Sequence, residues 1–374
     1  MRVVIFHASA GHGHQKAAEA VREGLLAEGV PEKEILLRDA LDDTPPWFKK
    51  YYTSLYYYSV KHTPNLWGAT YHLAEHPWLY EIIGRRVRRL INGGMAKRLV
   101  ELLLREKPQA VICTHFMSPE VVGHLKSSGR FDTFLISAVT DFVPHTFWVN
   151  PGTDHYWVMS DEGKENLLRR GLLPERVTAG GIPISLRFRP QNKGKEIRRR
   201  EGLDLNRFTL LITSGSFGLG PANEVLRCLQ EFSEKIQVLV VCGNNQRQYD
   251  LLRNGHFPFP IKVYGFVSNM DELMEASDLL IAKPGGATTS ESLAKGIPMV
   301  VLEPIPGQET GNAHLLRERN AAFFLGKPED IRIILKGIFD YPQVLEEKMR
   351  AIHKLAKPDA AIDLARLVLS KIGR

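Results

Sequence analysis

The chain has 374 residues, 44% of them apolar, and a formal net charge of +7. That length exceeds one ordinary core and suits two α/β domains of comparable size, and no apolar run approaches the roughly 18 residues needed to cross a bilayer. Its three cysteines lie too far apart for a disulfide framework or a zinc spacing, and the opening MRVVIF has none of the features of a signal peptide, so a cytoplasmic protein is expected.

Val3–Ala8 reads as a buried strand, followed by the glycine turn SAGHGH and a helix over Gln15–Glu28, with Ala17, Ala18, Val21 and Leu25 at helical spacing and a stop at Gly29. A second strand over Glu34–Arg38 completes a βαβ unit. Further strands are expected over Ala110–Thr114, Thr133–Val139 and His155–Met159, and Val177–Pro183 closes this half. The polar, basic stretch Ser185–Arg200 reads as a linker. A second series follows, with strands at Phe208–Thr213, Gln237–Cys242, Ile261–Gly265, Leu279–Ala282 and Ile297–Leu302 and a helix near Ala222–Ile236. The tail Asp359–Ile372 reads as an amphipathic helix. Strands alternating with helices predict two doubly wound parallel sheets that bind ligands at their carboxyl ends.

Charge is uneven. Between Pro45 and Val100 there are nine Lys or Arg and two acids, so this segment alone carries an excess equal to the net charge of the chain. Such a patch implies an anionic partner. The same region is aromatic, with eleven Trp, Tyr and Phe from Trp47 to Tyr80, beside Arg85, Arg86, Arg88 and Arg89. Trp and Tyr suit the lipid head-group boundary, and Trp47, Tyr51 and Tyr56 with the arginines read as a contact with an anionic membrane surface. The competing reading is an aromatic subdomain core with a solvated basic helix. No nucleic-acid-binding module is present.

Three loops are candidates for chemistry. In Lys283–Ser292 (KPGGATTSES) a strand feeds a Gly-Gly turn that opens a helix, whose free first-turn N–H groups form an anion site; the alternative is a tight βα turn with a solvated acid. Ser214–Gly218 (SGSFG), with Gly215 and Ser216, is a second glycine loop that lacks the GK[ST] of an ATPase P-loop. Ala10–His14 (AGHGH) places two histidines at a helix start, where one is a general base or both are capping or solvated residues; a zinc site is disfavoured, since no third ligand has the spacing. Asp141 ends a strand at the ligand-binding edge, as a partner of a histidine base or of an acceptor hydroxyl, or as a turn cap.

The segment KPGGATTSESLAKGIPMVVLEPIPGQETGNAHLL (Lys283–Leu316), together with SAGHGHQKAAEA, CTHFMSPEV and VTDFVPHTFWV, resembles the processive diacylglycerol glucosyltransferases and plant-type monogalactosyldiacylglycerol synthases of glycosyltransferase family 28. The likeness runs over almost the whole chain; the lipid II glucosaminyltransferase is a more distant relative. It implies the α/β GT-B fold: an N-terminal acceptor and membrane-binding domain over 1–187, a UDP-sugar-binding domain over 188–355, and a C-terminal helix over 356–374 that crosses back. It also implies inverting, metal-independent transfer without a cofactor, and the sequence has no D-x-D motif. By similarity, Glu291 binds ribose; Gly285, Gly286, Ala287, Thr288 and Thr289 bind diphosphate; Phe266 and Val267 frame uracil; Gln308 and Glu309 hold sugar hydroxyls. His14, with Gly13 before it, falls where the family has its loop histidine. His115, Asp141, His145 and Trp148 fall on the acceptor side. The family loop is often GGGH, so His12 here leaves open which histidine faces the acceptor.

The expected activity is transfer of glucose or galactose from a UDP-sugar to a diacylglycerol-type lipid, by a peripheral protein on the cytoplasmic face of the membrane. Two alternatives remain: N-acetylglucosamine transfer to a polyprenyl-linked acceptor, and a non-catalytic lipid- or nucleotide-sugar-binding protein.

Overall fold

The computed structural model describes residues 2–9, 11–63, 66, 68–69, 73, 96–213 and 222–373, without the side chains of Tyr56, Tyr57, Val60, Lys61 and Gln308. The chain divides into two compact units: Met1–Leu186 with Ile305–Gly311 and Asp359–Arg374, and Arg187–Pro304 with Asn312–Pro358.

The first unit is built on β1 (Val3–His7), β2 (Ile35–Asp39), β3 (Ala110–Cys113), β4 (Phe134–Ala138), β5 (His155–Val158) and β6 (Val177–Ala179). They form one parallel sheet in the order β2-β1-β3-β4-β5-β6. Side chains alternate across a strand, so β1 serves two layers. Val3 and Ile5 pack with Ala18, Val21 and Leu25 of the His12–Ala27 helix and with Leu364, Val368 and Leu369 near the C-terminus. Val4 and Phe6 pack on the other face against Leu99, Leu103, Val122 and Leu125. The C-terminal helix Ala360–Lys371 thus completes the first unit. Gly24 permits its approach, since a Cβ there would collide with the Ala361 carbonyl.

The second unit contains β7 (Phe208–Thr213), β8 (Ile236–Val241), β9 (Ile261–Tyr264), β10 (Leu279–Ala282), β11 (Met299–Val301) and β12 (Ala322–Phe324). Their parallel order is β12-β11-β10-β7-β8-β9. β12, only three residues long, carries too short a pattern to be read from sequence. The expected linker is partly ordered: Gly194–Arg200 is a helix that buries Ile197. Arg198 pairs with Asp278 at 2.7 Å and donates to the Ala276 carbonyl, which holds that helix to its own unit. The helix expected near Ala222–Ile236 ends at Cys228 and gives way to a short 3-10 turn, Gln230–Phe232.

In both sheets chain order reverses at one place, between β1 and β3 and between β7 and β10. Loops leaving the carboxyl ends of strands at such a point diverge and leave room for a ligand. The His12–Ala27 helix and His115 follow β1 and β3; the Gly286–Lys295 helix follows β10.

Candidate functional site

Each unit presents one group of functional side chains at its switch point. In the first, Gly11 caps the His12–Ala27 helix at φ 152°, a backbone state that favours glycine. His12, the first helical residue, is exposed and Gly13 half-buried, whereas His14 turns inward. Its Nδ1 lies 2.8 Å from the Thr114 carbonyl oxygen and 2.8 Å from the Thr140 hydroxyl. The Thr114 hydroxyl donates back to the His14 carbonyl at 2.8 Å. His14 is therefore the histidine that the fold organises.

His115 meets His14 edge-on, with ring centres 4.6 Å apart at 86°, and lies over Phe116 at 4.1 Å. Phe116 in turn contacts Phe147 and Trp148, and Phe147 contacts His145 at 4.3 Å. Trp148 is fully buried and its indole N–H donates to Asp141 Oδ2 at 2.7 Å. Trp148 thus belongs to the core beneath the site, where it fixes Asp141, and is no surface contact. His115 and His145 are also buried. Burial lowers the pKa of His14, opposed by the negative charge of Asp141 and by the Thr114 carbonyl. Burial, reinforced by His14 and His7, holds His115 well below the usual imidazole range. Both rings are neutral near pH 7.

In the second unit the turn after β10 is held by Asn312, whose buried Nδ2 donates to the Pro284 carbonyl at 2.7 Å. Gly285 caps the Gly286–Lys295 helix without a side-chain cap bond. Gly286, Ala287, Thr288 and Glu291 are half-buried, while Thr289 is 1% exposed and its hydroxyl has no partner among the described residues. A buried hydroxyl in that state is costly unless something occupies it. The helix is tied at its far end, where Lys295 bonds Glu275 at 2.5 Å and the Arg189 carbonyl at 3.1 Å. Phe266, just beyond β9, is 63% exposed, and Val267 is half-buried.

Glu309 accepts from the Ile305 amide at 2.7 Å. Gly215, Ser216, Arg85, Arg86, Arg88 and Arg89 lie outside the described residues, as do the side chains of Gln308 and Tyr56. The helix Pro46–His62 has two faces. Phe48 and Tyr52 pack inward with Ala8, Leu41 and Met117, while Trp47, Tyr51, Leu55 and Tyr58 form an outward apolar stripe, each 48–62% exposed.

Sequence reasoning missed Thr114, Thr140 and Asn312. All three lie inside the motifs that carried the resemblance, but only the fold shows that they hold His14 and the glycine turn.

Residues 14–184 match the monogalactosyldiacylglycerol (MGDG) synthase family, and residues 209–363 match the glycosyltransferase family 28 C-terminal domain. A processive diacylglycerol beta-glucosyltransferase of Bacillus pumilus is 29% identical over 94% of this chain and 91% of its own length. Monogalactosyldiacylglycerol synthase 2, chloroplastic, of Arabidopsis thaliana is 27% identical over 97% of this chain and 79% of its own. Among solved structures, MurG of Acinetobacter baumannii superposes with a TM-score of 0.61 at 15% identity, covering 99% of both chains. The two sheets and these likenesses identify the fold as GT-B.

Proposed function

We propose, from its likeness to the monogalactosyldiacylglycerol synthases and diacylglycerol glucosyltransferases, that the chain is a glycosyltransferase of that family and moves glucose or galactose, with inversion, from a UDP-sugar to the hydroxyl of a diacylglycerol-type lipid. The observation that carries the mechanism is the anchoring of His14. A carbonyl oxygen can only accept, so the 2.8 Å contact with Thr114 puts the ring proton on Nδ1. Nε2 then bears the lone pair of a general base.

The acceptor oxygen attacks the anomeric carbon as its proton passes to His14 Nε2, and the bond from that carbon to UDP breaks with the electron pair leaving on the diphosphate. Asp141 stabilises the resulting imidazolium through its charge, and Trp148 keeps Asp141 in place. The diphosphate charge is met by the N-terminus of the Gly286–Lys295 helix and by the hydroxyls of Thr288 and Thr289, with no metal required. Phe266 offers a face to uracil and Glu291 a carboxylate to ribose. EDTA should leave turnover unchanged within about twofold.

The stripe Trp47, Tyr51, Leu55 and Tyr58 supports a lipid surface as the place of reaction. No described helix is long and apolar enough to cross a membrane; the exposed stripe supports contact through an in-plane face, and the proposal places the protein at the periphery of the membrane's cytoplasmic face. The test is UDP release with UDP-glucose, UDP-galactose and UDP-N-acetylglucosamine, with and without diacylglycerol in anionic micelles. Release from a hexose donor that depends on diacylglycerol is the expected result. Release only with UDP-N-acetylglucosamine and a polyprenyl-linked lipid would replace this acceptor; UDP binding without any turnover would leave a binding protein.

A further inference from the structure

Backbone atoms hold His14 and His115 in opposite tautomers. His14 presents Nδ1–H to the Thr114 carbonyl, so the Thr140 hydroxyl at the same nitrogen also accepts. In His115 the order is reversed. Its Nδ1 lies 3.2 Å from the Met117 amide nitrogen, whose N–H can only donate, so Nδ1 holds the lone pair. The proton of the neutral ring is then on Nε2. His145 repeats this arrangement with the Phe147 amide at 3.2 Å. One ring thus offers a proton acceptor and its neighbour, with centres 4.6 Å apart, offers a donor.

We propose that the two imidazoles together read a single acceptor hydroxyl: His14 Nε2 takes its proton while His115 Nε2–H donates to one of its lone pairs. An alcohol oxygen has one proton and two lone pairs. Fixing the proton on His14 and one lone pair on His115 leaves the remaining lone pair to form the bond to the anomeric carbon. The donated hydrogen bond also stabilises negative charge as it develops on that oxygen. The pair recognises hydroxyl, a group that gives and takes one hydrogen bond each. This inference rests on the function proposed above and adds a residue with a stated role in it.

Two substitutions separate this role from a structural one. In His115→Asn the amide oxygen still accepts the Met117 N–H, but the distal N–H is gone. In His115→Gln the longer amide places an N–H near the lost Nε2, while the Met117 bond is given up. The assay is diacylglycerol-dependent UDP release, resolved into kcat and acceptor KM, with UDP affinity by calorimetry and melting temperature alongside. We expect His115→Asn to lose about 10–100-fold in kcat/KM for the acceptor, His115→Gln to stay within about fivefold of wild type, and UDP affinity to hold within about twofold in both. An Asn variant close to wild type, or equal losses in both variants, overturns the proposal in favour of a packing role. If the wild type shows no acceptor-dependent release, the parent reading falls and this inference falls with it. Release by wild type that is lost in His14→Ala, with the Asn variant unimpaired, sinks the inference alone.

Discussion

The two switch points share a topology and differ in chemistry. At the β1–β3 edge the key ring is held from behind: His14 is bonded to Thr114 and Thr140, and His115 to its own loop. At the β10 edge a helix N-terminus stands without a side-chain cap, and the buried Thr289 hydroxyl is unpartnered among the described residues. A proton acceptor must be oriented before substrate arrives, so its supporting bonds are present in the protein alone. An anion cradle gains its bonds from the anion, so its donors stay unspent. On the function proposed, the same parallel-sheet geometry would serve two tasks according to how much of its polar chemistry is already satisfied.

The largest expected effect comes from removing the proposed proton acceptor. His14→Ala should cut turnover by about 10³-fold and leave UDP affinity within about twofold by calorimetry; a joint loss of UDP binding would erase the division of labour between the edges. Next is the apolar stripe, a feature of the first unit. Changing Trp47, Tyr51, Leu55 and Tyr58 together to Ser should weaken sedimentation with anionic vesicles by about 10²-fold, since even partial burial recovers a good share of the roughly 2 kcal/mol per side chain at stake. Unchanged vesicle binding would assign the stripe another role.

Thr289→Val sharpens the contrast from the other side. It removes a buried hydroxyl that has no partner among the described residues, so the melting temperature should hold or rise while UDP affinity falls about 10-fold. A fall in stability with UDP affinity intact would mean that the hydroxyl serves the fold. The smallest effect concerns His155, a buried histidine at the opposite end of its strand, bonded to Thr178 at 2.9 Å. Burial, aided by Lys371, Arg176 and Lys164, pushes its pKa down to about 4. A histidine kept neutral in the fold contributes stability that is present above its unfolded pKa and lost on acidification. The melting temperature should drop as pH falls from about 6.5 toward about 4, and His155→Gln should flatten that slope by a few degrees while turnover at pH 7.5 is kept. Lost turnover would show that a buried histidine away from the carboxyl edge also takes part in the chemistry.

Much of this was legible in the residues. Buried parallel strands are continuous apolar runs, so VVIFH and LLIA declare themselves, and a Gly-Gly turn followed by helix formers marks the start of the next helix. The histidine pair in AGHGH was visible as chemistry but ambiguous as to residue. His12 and His14 are two apart, and the helix turns them to different sides; which side is inward depends on β3 and β4, about a hundred residues away. Resemblance alone places Trp148 on the acceptor side; that its ring is fully buried and its indole N–H is given to Asp141 at 2.7 Å shows only in the fold.

The sequence by itself determined the alternation of strand and helix, the glycine-rich motifs and the family resemblance, because these rest on local periodicity and contiguous motifs. The tertiary structure alone decided the hydrogen-bond partners of His14, the tautomer of His115, the inward face of Phe48 and Tyr52, and the return of the C-terminal helix to the first unit. Each of these is a contact or a packing face set by residues distant in sequence or by the direction of one ring nitrogen. None of these is written in residue order: the partners of His14 are set when the sheet brings β1, β3 and β4 side by side, and the tautomer of His115 by how the turn after β3 aims the Met117 amide.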